Sequence, residues 1–318
     1  MPDTHHHLPV LCSEVIAALN IRPEGQYIDA TFGRGGHSRA ILSQLGNKGR
    51  LLVIDQDPKA IESAYTLAAK DKRLTVCHAR FDALHTLCVE QAILKKVDGI
   101  LLDLGVSSPQ LDTAERGFSF MQAGPLDMRM NPTTGRSAAE WLAIASEAEI
   151  ADVFHHYGEE RFARRLAKAI VETRAAAPIN TTDRLAGIIK QAHPAWEKHK
   201  HPATRCFQAI RIFINEELTV LEKVLEQTLH VLAPQGRLAV ISFHSLEDRI
   251  VKQFMQQQAK PPLESRALRR LPVHSNQAAF QPRLHIVGKK IKPSQAEISG
   301  NPRARSALLR VAERTEVG

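Results

Sequence analysis

The stretch that decides the fold is Gln26-Tyr-Ile-Asp-Ala-Thr-Phe-Gly-Arg-Gly-Gly-His-Ser38. Gln26–Phe32 is rich in β-branched and aromatic residues and reads as a strand. Gly33–Gly36 reads as a loop, and a helix follows from about Ser38 to Leu45, ended by the turn chemistry of Gly46, Asn47 and Gly49. Outward from this unit, Leu51–Asp55 is a second strand and Pro58 opens another helix at its first turn. Thr75–Ala79 is a third strand. Val97–Asp103 is a fourth, apolar enough to be buried on both faces. Strands alternating with helices predict an α/β fold with a mostly parallel sheet and helices on both sides.

The alternation then stops. From about Ser108 to Ile212 no strand of similar quality appears. Ala138–Ile144, Glu147–Phe154, Glu160–Ala175 and Arg184–Ala192 have helical spacing. Ser137 and Ser146 stand three residues before Glu140 and Glu149, the capping-box spacing. This predicts an inserted all-helical domain over 109–212, between sheet-forming parts at 1–108 and 213–318. Ile214, Leu218, Leu221, Leu225, Leu229 and Leu232 recur at steps of three and four, predicting one amphipathic helix stopped by Pro234 and Gly236. Arg237–Phe243 resumes the sheet, His285–Val287 and Leu308–Ala312 are candidate last strands, and Gln256–Pro282 reads as loop.

Composition bounds the rest. With 43% hydrophobic and 24% charged residues the chain is globular, not disordered or collagen-like. Its apolar runs fall far short of the ~20 residues a membrane span needs, so no membrane association is expected. The N-terminus lacks a secretory signal pattern. Cys12, Cys77, Cys88 and Cys206 lie far apart with no CxxC pair, which predicts reduced thiols, a cytoplasmic setting and no metal cage. Lys and Arg number 42 against 34 Asp and Glu, and this net +8 suits a polyanionic partner without proving one.

Four features carry candidate chemistry. Glycines in a strand-to-helix bend let a ligand approach the exposed N–H groups of a helix end, although a simple tight turn uses the same residues. Gly33 and Gly35 fit a dinucleotide fingerprint, but position 38 is Ser, so a pyrophosphate is disfavoured; no Gly-Lys-Ser/Thr follows, so a Walker loop is absent. What remains is a nucleoside cofactor without a diphosphate, notably S-adenosylmethionine. Asp55 ends the second strand 19 residues past Gly36, near the offset at which an acid binds ribose hydroxyls; Asp57 competes for that role. Phe81 could cover an adenine face or belong to the core. Asp103 ends the fourth strand, at the sheet edge where open α/β folds bind ligands. The segment that follows it, with Ser107, Ser108 and Pro109, suits holding and orienting an amine.

Other clusters are less readable. Arg129 lies in Gly124–Met130, a mixed charged and methionine-rich run. Lys198–Arg205 contains His201 and Arg205 and suits phosphate contacts. Phe207, Arg211 and Asn215 share one helix face and can read a base or simply face solvent. His244 ends the fifth strand as a base or as a hydrogen-bonding bystander. Arg129, His201, Arg205, Arg211, Asn215 and His244 are thus the candidates for substrate contact. His5–His7 could bind a metal adventitiously.

Taken together, Phe32–Ser38, Asp98–Asp112, Arg116–Phe120, Gly124–Met130, Tyr157–Ala163, His201–Arg205, Phe207–Ile212, Gly236–Lys252 and Asn301–Ser306 resemble the ribosomal RNA small-subunit methyltransferase H, or MraW-type, family. The matching segments span about residues 5 to 315; the N-terminal histidines and 256–297 depart from the pattern. The resemblance implies a class I methyltransferase, Rossmann-like fold. It implies S-adenosylmethionine-dependent N4-methylation of one cytidine in the decoding region of small-subunit (16S) rRNA. It carries cofactor binding onto Gly35, Gly36, His37, Asp55, Phe81, Asp103 and Gln110, with Gly33 in the same loop, and makes the helical insertion the substrate-recognition domain. The expected partner is small-subunit rRNA in an assembled or nearly assembled subunit, and a homodimer is allowed.

Under this reading the cytosine amine is a poor nucleophile, because its lone pair is delocalised into the ring. Asp103, Ser107, Ser108 and the carbonyls around Pro109 are the acceptor candidates for its protons. Three other classes compete. A nicotinamide-dependent dehydrogenase is disfavoured by Ser38. A non-catalytic RNA-binding factor is disfavoured by the intact run Asp103–Pro109. A DNA or protein amine methyltransferase is disfavoured weakly, because the loop lacks a Pro-Pro-Tyr/Phe ending.

Overall fold

The computed structural model describes residues 9–195, 201–261 and 280–316. The chain divides into two compact units, one taking it up to Gly105 and again from Val220, the other Val106–Thr219. The sequence reading places the boundaries at 108/109 and 212/213. The second unit begins earlier because Val106 and Leu111 pack against its core. It ends later because the Arg211 guanidinium grips Glu217 at 2.8 Å.

The first unit is built on a seven-stranded sheet. Its strands are β1 (Gln26–Asp29), β2 (Arg50–Asp55), β3 (Leu74–His78), β4 (Val97–Asp103), β5 (Leu232–Ser242), β6 (Leu284–Ile286) and β7 (Leu308–Arg314). They run in the order β3-β2-β1-β4-β5-β7-β6. β1 to β5 are mutually parallel, and β7 is antiparallel to both β5 and β6. Period-two alternation sorts the side chains onto two faces. Ile28, Leu52, Ile54, Ile100, Leu102, Leu238 and Val240 join one buried cluster. Tyr27, Leu51, Val53, Leu101, Ala239 and Ile241 join the other. Each such apolar side chain contributes about 1.5–3 kcal/mol when fully buried. Covering both faces is why β4 reads as an unbroken apolar run.

Helices α1 (Cys12–Leu19), α2 (Gly36–Gln44), α3 (Pro58–Ala68) and α4 (Leu84–Glu90) belong to this unit. α1 carries no side-chain cap at Leu11, so it has no start signal in the sequence. α2 begins two residues before the expected Ser38, which puts Gly36 and His37 inside its first turn.

The second unit holds α5 (Ser108–Asp112), α6 (Ala138–Ile144), α7 (Glu147–Gly158), α8 (Ala163–Ala176), α9 (Thr182–Ala192) and α10 (Ala203–Ile214). Among its described residues the only β pairing is an isolated bridge between Pro125 and Thr181. Trp141, Phe154, Ile170, Leu185 and Phe207 centre its core. Ser137 and Glu140 form the full capping box at α6; at α7 only the Ser146 half is made, accepting from Glu149 N–H.

Three expectations are corrected. The single helix from Ile214 is broken at Asn215 and Glu216, where Glu216 takes φ +52°, and α11 starts afresh at Glu217–Val231. Pro234–Gly236 does not separate helix from strand: β5 starts at Leu232 and bulges there. Val97 pairs with Leu232, and the next pair is Gly99 with Arg237. A side chain at Gly236 would come within 2.7 Å of the Val97 carbonyl oxygen, which is why glycine stands at the bulge. Finally, α12 (Ser245–Ala259) extends into the stretch expected to be loop from Gln256. His5–His7 and Lys198–Lys200 lie outside the described residues.

Candidate active site

Asp29, Asp55 and Asp103 end β1, β2 and β4, so three carboxylates stand at the carboxyl edge of the parallel strands. This edge is where open α/β sheets hold ligands. The turn after β1 is locked from inside. The buried Asp29 carboxylate accepts from Thr31 N–H at 3.2 Å and from the Ser38 hydroxyl at 2.6 Å. Burial raises its pKa to about 6 against the pull of those bonds. Ser38 is thus an anchor for the turn, which accounts for a hydroxyl where the dinucleotide pattern has glycine. Gly35 sits in the left-handed region at φ +72°, and a side chain there would lie 2.5 Å from the buried Phe32 ring.

Asp55 Oδ2 accepts from Gly33 N–H at 2.8 Å, and Oδ1 accepts from Asp57 N–H at 2.9 Å. Burial raises its pKa. A carboxylate oxygen accepts more than one bond, so Asp55 retains acceptor capacity toward a diol. Asp57, its competitor in the sequence, caps α3 by accepting from Lys59 N–H at 3.0 Å.

His37 and Asp103 differ from every group so far. Both ring nitrogens of His37 and Oδ1 of Asp103 are buried with no hydrogen-bond partner. His37 Nε2 and Asp103 Oδ2 are 3.6 Å apart, too far for a hydrogen bond. Burial lowers the His37 pKa to about 4, so the imidazole is neutral at pH 7. Asp103 is pushed up to about 8, chiefly by burial and further by the charges of Asp29 and Glu247. Its side chain is 27% exposed, so solvent moderates that burial. Its backbone is fixed: Asp103 N–H donates to the Thr31 hydroxyl at 2.7 Å. An unsatisfied buried polar group costs about 1–3 kcal/mol. Three such atoms on two adjacent side chains mark a place where a ligand supplies the missing partners.

The remaining candidates of this unit are half-structural. Phe81 sits in a single 3₁₀ turn, Phe81–Ala83, half-buried against the sheet core. His244 is the N-cap of α12: its Nδ1 accepts from Glu247 N–H at 3.4 Å, and Glu247 reaches back to His244 N–H at 3.2 Å. Its Nε2 lies 3.1 Å from Glu247 Oε1, within ion-pair distance, yet makes no hydrogen bond. Sequence reading missed Asp29, Thr31 and Glu247. The spacing His244-x-x-Glu247 was the available signal for the last, with His in the position Ser or Thr usually fills.

In the helical unit, Gln110 Oε1 accepts from Ser107 N–H at 2.8 Å and so fixes the start of α5; Ser107, Ser108 and Pro109 are half-buried around it. Three expected substrate contacts are engaged by neighbours of their own unit. Arg129 is held by both Asp127 oxygens, at 2.9 and 2.7 Å, and donates to Gly135 O. Arg211 forms a two-pronged pair with Glu217 at 2.8 and 2.9 Å. Asn215 accepts from Met130 N–H at 2.7 Å and donates to Met128 O and Arg211 O. His201 Nδ1 accepts from Ala203 N–H at the start of α10, and its ring lies 4.7 Å from that of Phe120. Arg205 is half-buried on α10.

The strand order, the antiparallel β7 and the glycine turn after β1 define a class I, S-adenosylmethionine-dependent methyltransferase. The chain belongs to the MraW methylase family, whose pattern matches residues 4–315. It is a methylase of that family, and its cofactor is S-adenosylmethionine. The solved structures similar to it include a protein from Clostridium thermocellum assigned as an rRNA-methylase, 10% identical with TM-score 0.45, covering 96% of this chain and 97% of that one. An rRNA methylase from Streptococcus thermophilus is 9% identical with TM-score 0.41, covering 96% and 95%. A SAM-dependent methyltransferase from Aquifex aeolicus is 10% identical with TM-score 0.40, covering 96% and 90%. Among the described residues no helix is long and apolar enough to cross a membrane.

Proposed function

We propose that the chain transfers a methyl group from S-adenosylmethionine to N4 of one cytidine in the decoding region of small-subunit rRNA. The observation that carries this reading is the trio of buried, unpartnered atoms on His37 and Asp103 beside the Gly33–Gly36 turn. Those residues suit the cofactor. Neutral His37 offers a donor on one nitrogen and an acceptor on the other, and Asp103 offers a carboxyl group. Asp55 has acceptor capacity left for a ribose diol, Phe81 has a half-exposed ring for adenine, and Gly35 keeps side-chain atoms away from the bend. Gly33, Gly36 and Gln110 complete the proposed set.

The bound cofactor supplies an already activated methyl group. The protein therefore has to position the amine and take up its charge. Asp103 is the proposed acceptor for an N4 proton, which its ionised carboxylate would take up. Ser107, Ser108 and the carbonyls around Pro109 are the proposed further acceptors, four to six residues beyond Asp103 in the chain. Alignment of amine and methyl group supplies much of the acceleration. His201 and Arg205 remain proposed contacts to RNA. The base is proposed to enter unstacked, since an amine inside a helix is out of reach. The substrate is proposed to be the assembled or nearly assembled small subunit.

Two measurements test the reading. Titration calorimetry of the purified chain with adenosyl-homocysteine gives saturable heat in the wild type and little in His37→Ala. Mass mapping of rRNA from cells lacking the chain shows one cytidine without its N4 methyl. No heat with the wild type discards the cofactor site; an unchanged rRNA map discards the target.

A further inference from the structure

The net charge of the chain is confined to one part of it. Residues 1–105 hold 12 Lys and Arg against 12 Asp and Glu, and residues 106–219 hold 14 against 14. Residues 220–318 hold 16 against 8, the entire excess of +8. The helical insertion, expected to recognise substrate, is therefore electrically neutral. Within the C-terminal part, the β6–β7 connection concentrates the excess. Residues 287–307 carry Lys289, Lys290, Lys292, Arg303 and Arg305 against the single acid Glu297. All five cations are exposed. Glu297 is turned inward, where its carboxylate accepts from Leu11 N–H at 2.7 Å.

This connection is fixed in place. Ile291 and Leu309 exchange two backbone hydrogen bonds, at 2.9 and 3.0 Å. Ser294 caps a short helix, α13 (Gln295–Gly300), and Asn301 caps the 3₁₀ turn Pro302–Ser306 that follows. Ala304 and Ala307 are fully buried beneath that turn. The framework holds the cations outward, whereas Arg237 and Arg310 of the same unit are clamped by Glu313 and Asp248. Among the described residues, Lys289, Lys290, Lys292 and Arg305 take part in no ion pair of that kind.

Its position follows from the strand register. β7 enters the sheet with Leu308 beside Ser242 and Leu309 beside Ile241, and Ile241 is beside Asp103. Leu309 is thus two strand spacings, ~10 Å, from Asp103 along the sheet. β6 runs parallel to β5, so its end opens onto the same edge. A row of exposed cations beside a site that takes a base out of RNA matches the phosphates flanking that base.

We propose that the β6–β7 connection, through Lys289, Lys290, Lys292, Arg303 and Arg305, is the phosphate-backbone clamp for the RNA, and that the helical insertion contributes little to long-range charge. This rests on the rRNA reading above. The test measures binding of a fluorescent single-stranded small-subunit rRNA fragment to the full chain across a salt series. In Lys289→Ala/Lys290→Ala/Lys292→Ala/Arg305→Ala, the slope of log K against log salt becomes shallower by about 3, at ~0.7 per lost phosphate contact. KM for RNA rises at least tenfold while kcat and adenosyl-homocysteine affinity hold. The control Arg161→Ala/Arg164→Ala/Arg165→Ala/Lys168→Ala removes four exposed cations at the start of α8 and leaves the slope as it was. An unchanged slope in the first variant, or the loss appearing in the second, overturns the proposal. So does a first variant that loses only binding to anionic phosphatidylglycerol vesicles. Because the binding assay requires no methyl transfer, a wild type that binds RNA but leaves rRNA unmethylated fails the proposed function and not the clamp.

Discussion

The helical insertion and the edge of the sheet treat their polar side chains in opposite ways. In the insertion, Arg129, Arg211 and Asn215 are each engaged by neighbours of the same unit. At the sheet edge, His37 and Asp103 carry buried atoms that bond nothing. The first pattern stabilises a fold and the second sacrifices stability for a ligand. A polar residue in the insertion is thus expected to govern melting, and one at the edge to govern binding and turnover.

The sharpest way to break this contrast is Asp103→Ala. Turnover is expected to fall at least a hundredfold and adenosyl-homocysteine affinity at least tenfold, because both a ligand partner and the proposed proton acceptor are lost. The apoprotein's melting point should not drop, because the carboxyl has no partner for its buried oxygen to lose. Steady-state kinetics and calorimetry on one preparation decide it; near-normal turnover removes Asp103 from the mechanism. Next in size is Asn215→Ala. It leaves Met130 N–H and Met128 O without their partner at once, at an expected cost of about 2–4 kcal/mol in denaturant unfolding. Cofactor affinity should be unaffected. A variant as stable as wild type would mean that the insertion is no better satisfied than the edge.

How much of this contrast was legible beforehand depends on whether the signal was local. β4 is predicted to the residue because seven residues buried on both faces leave no alternative period. The cap at Ser137 is equally readable, since its partner is three residues away. The fates of Arg211 and Asn215 were not. Four-residue spacing shows only that they share a helix face; that the face turns inward depends on the Met128–Met130 segment, 85 residues earlier for Met130. Nor could the sequence show that α2 starts at Gly36, because Gly35 provides no side-chain cap to mark it. Asp29 stayed hidden for the converse reason: its role lies in bonds to Ser38 and Thr31 inside a turn, where an ordinary strand-end acid looks the same.

A smaller effect sharpens the contrast through pH. The folded-state pKa of Asp103 is about 8, well above its ordinary value of 3.8. The folded protein therefore binds more protons than the unfolded chain between about pH 4 and 8, and stability falls as pH rises through that window. His37, lowered to about 4, acts with the opposite sign: its neutral form favours folding increasingly from about pH 4 to 6.5. Asp103→Asn removes the falling contribution alone. The apoprotein should gain about 1–3 kcal/mol over wild type at pH 8, a figure discounted for the partial exposure of the side chain, and almost nothing at pH 4. Urea unfolding at the two pH values reads the difference directly. A gain of equal size at both would mean that Asp103 is not titrating in this range.

The smallest effect comes from the insertion's caps. Ser137→Ala removes the hydroxyl that accepts from Glu140 N–H at 3.2 Å and leaves the Glu140 carboxylate to bond Ser137 N–H alone. A lost N-cap costs about 1 kcal/mol. The cap is exposed, so water replaces part of what is lost and the value should fall at or below that figure. The corresponding change at the sheet edge, Ser38→Ala, removes a buried 2.6 Å bond to a carboxylate that burial already strains. It should cost more stability and, unlike the cap, also weaken adenosyl-homocysteine binding, because the bend that Asp29 holds would loosen. Equal losses in the two variants, with cofactor affinity intact in both, would show that Ser38 is only a scaffold residue and that the division between satisfied insertion and ligand-hungry edge begins at His37, one residue earlier.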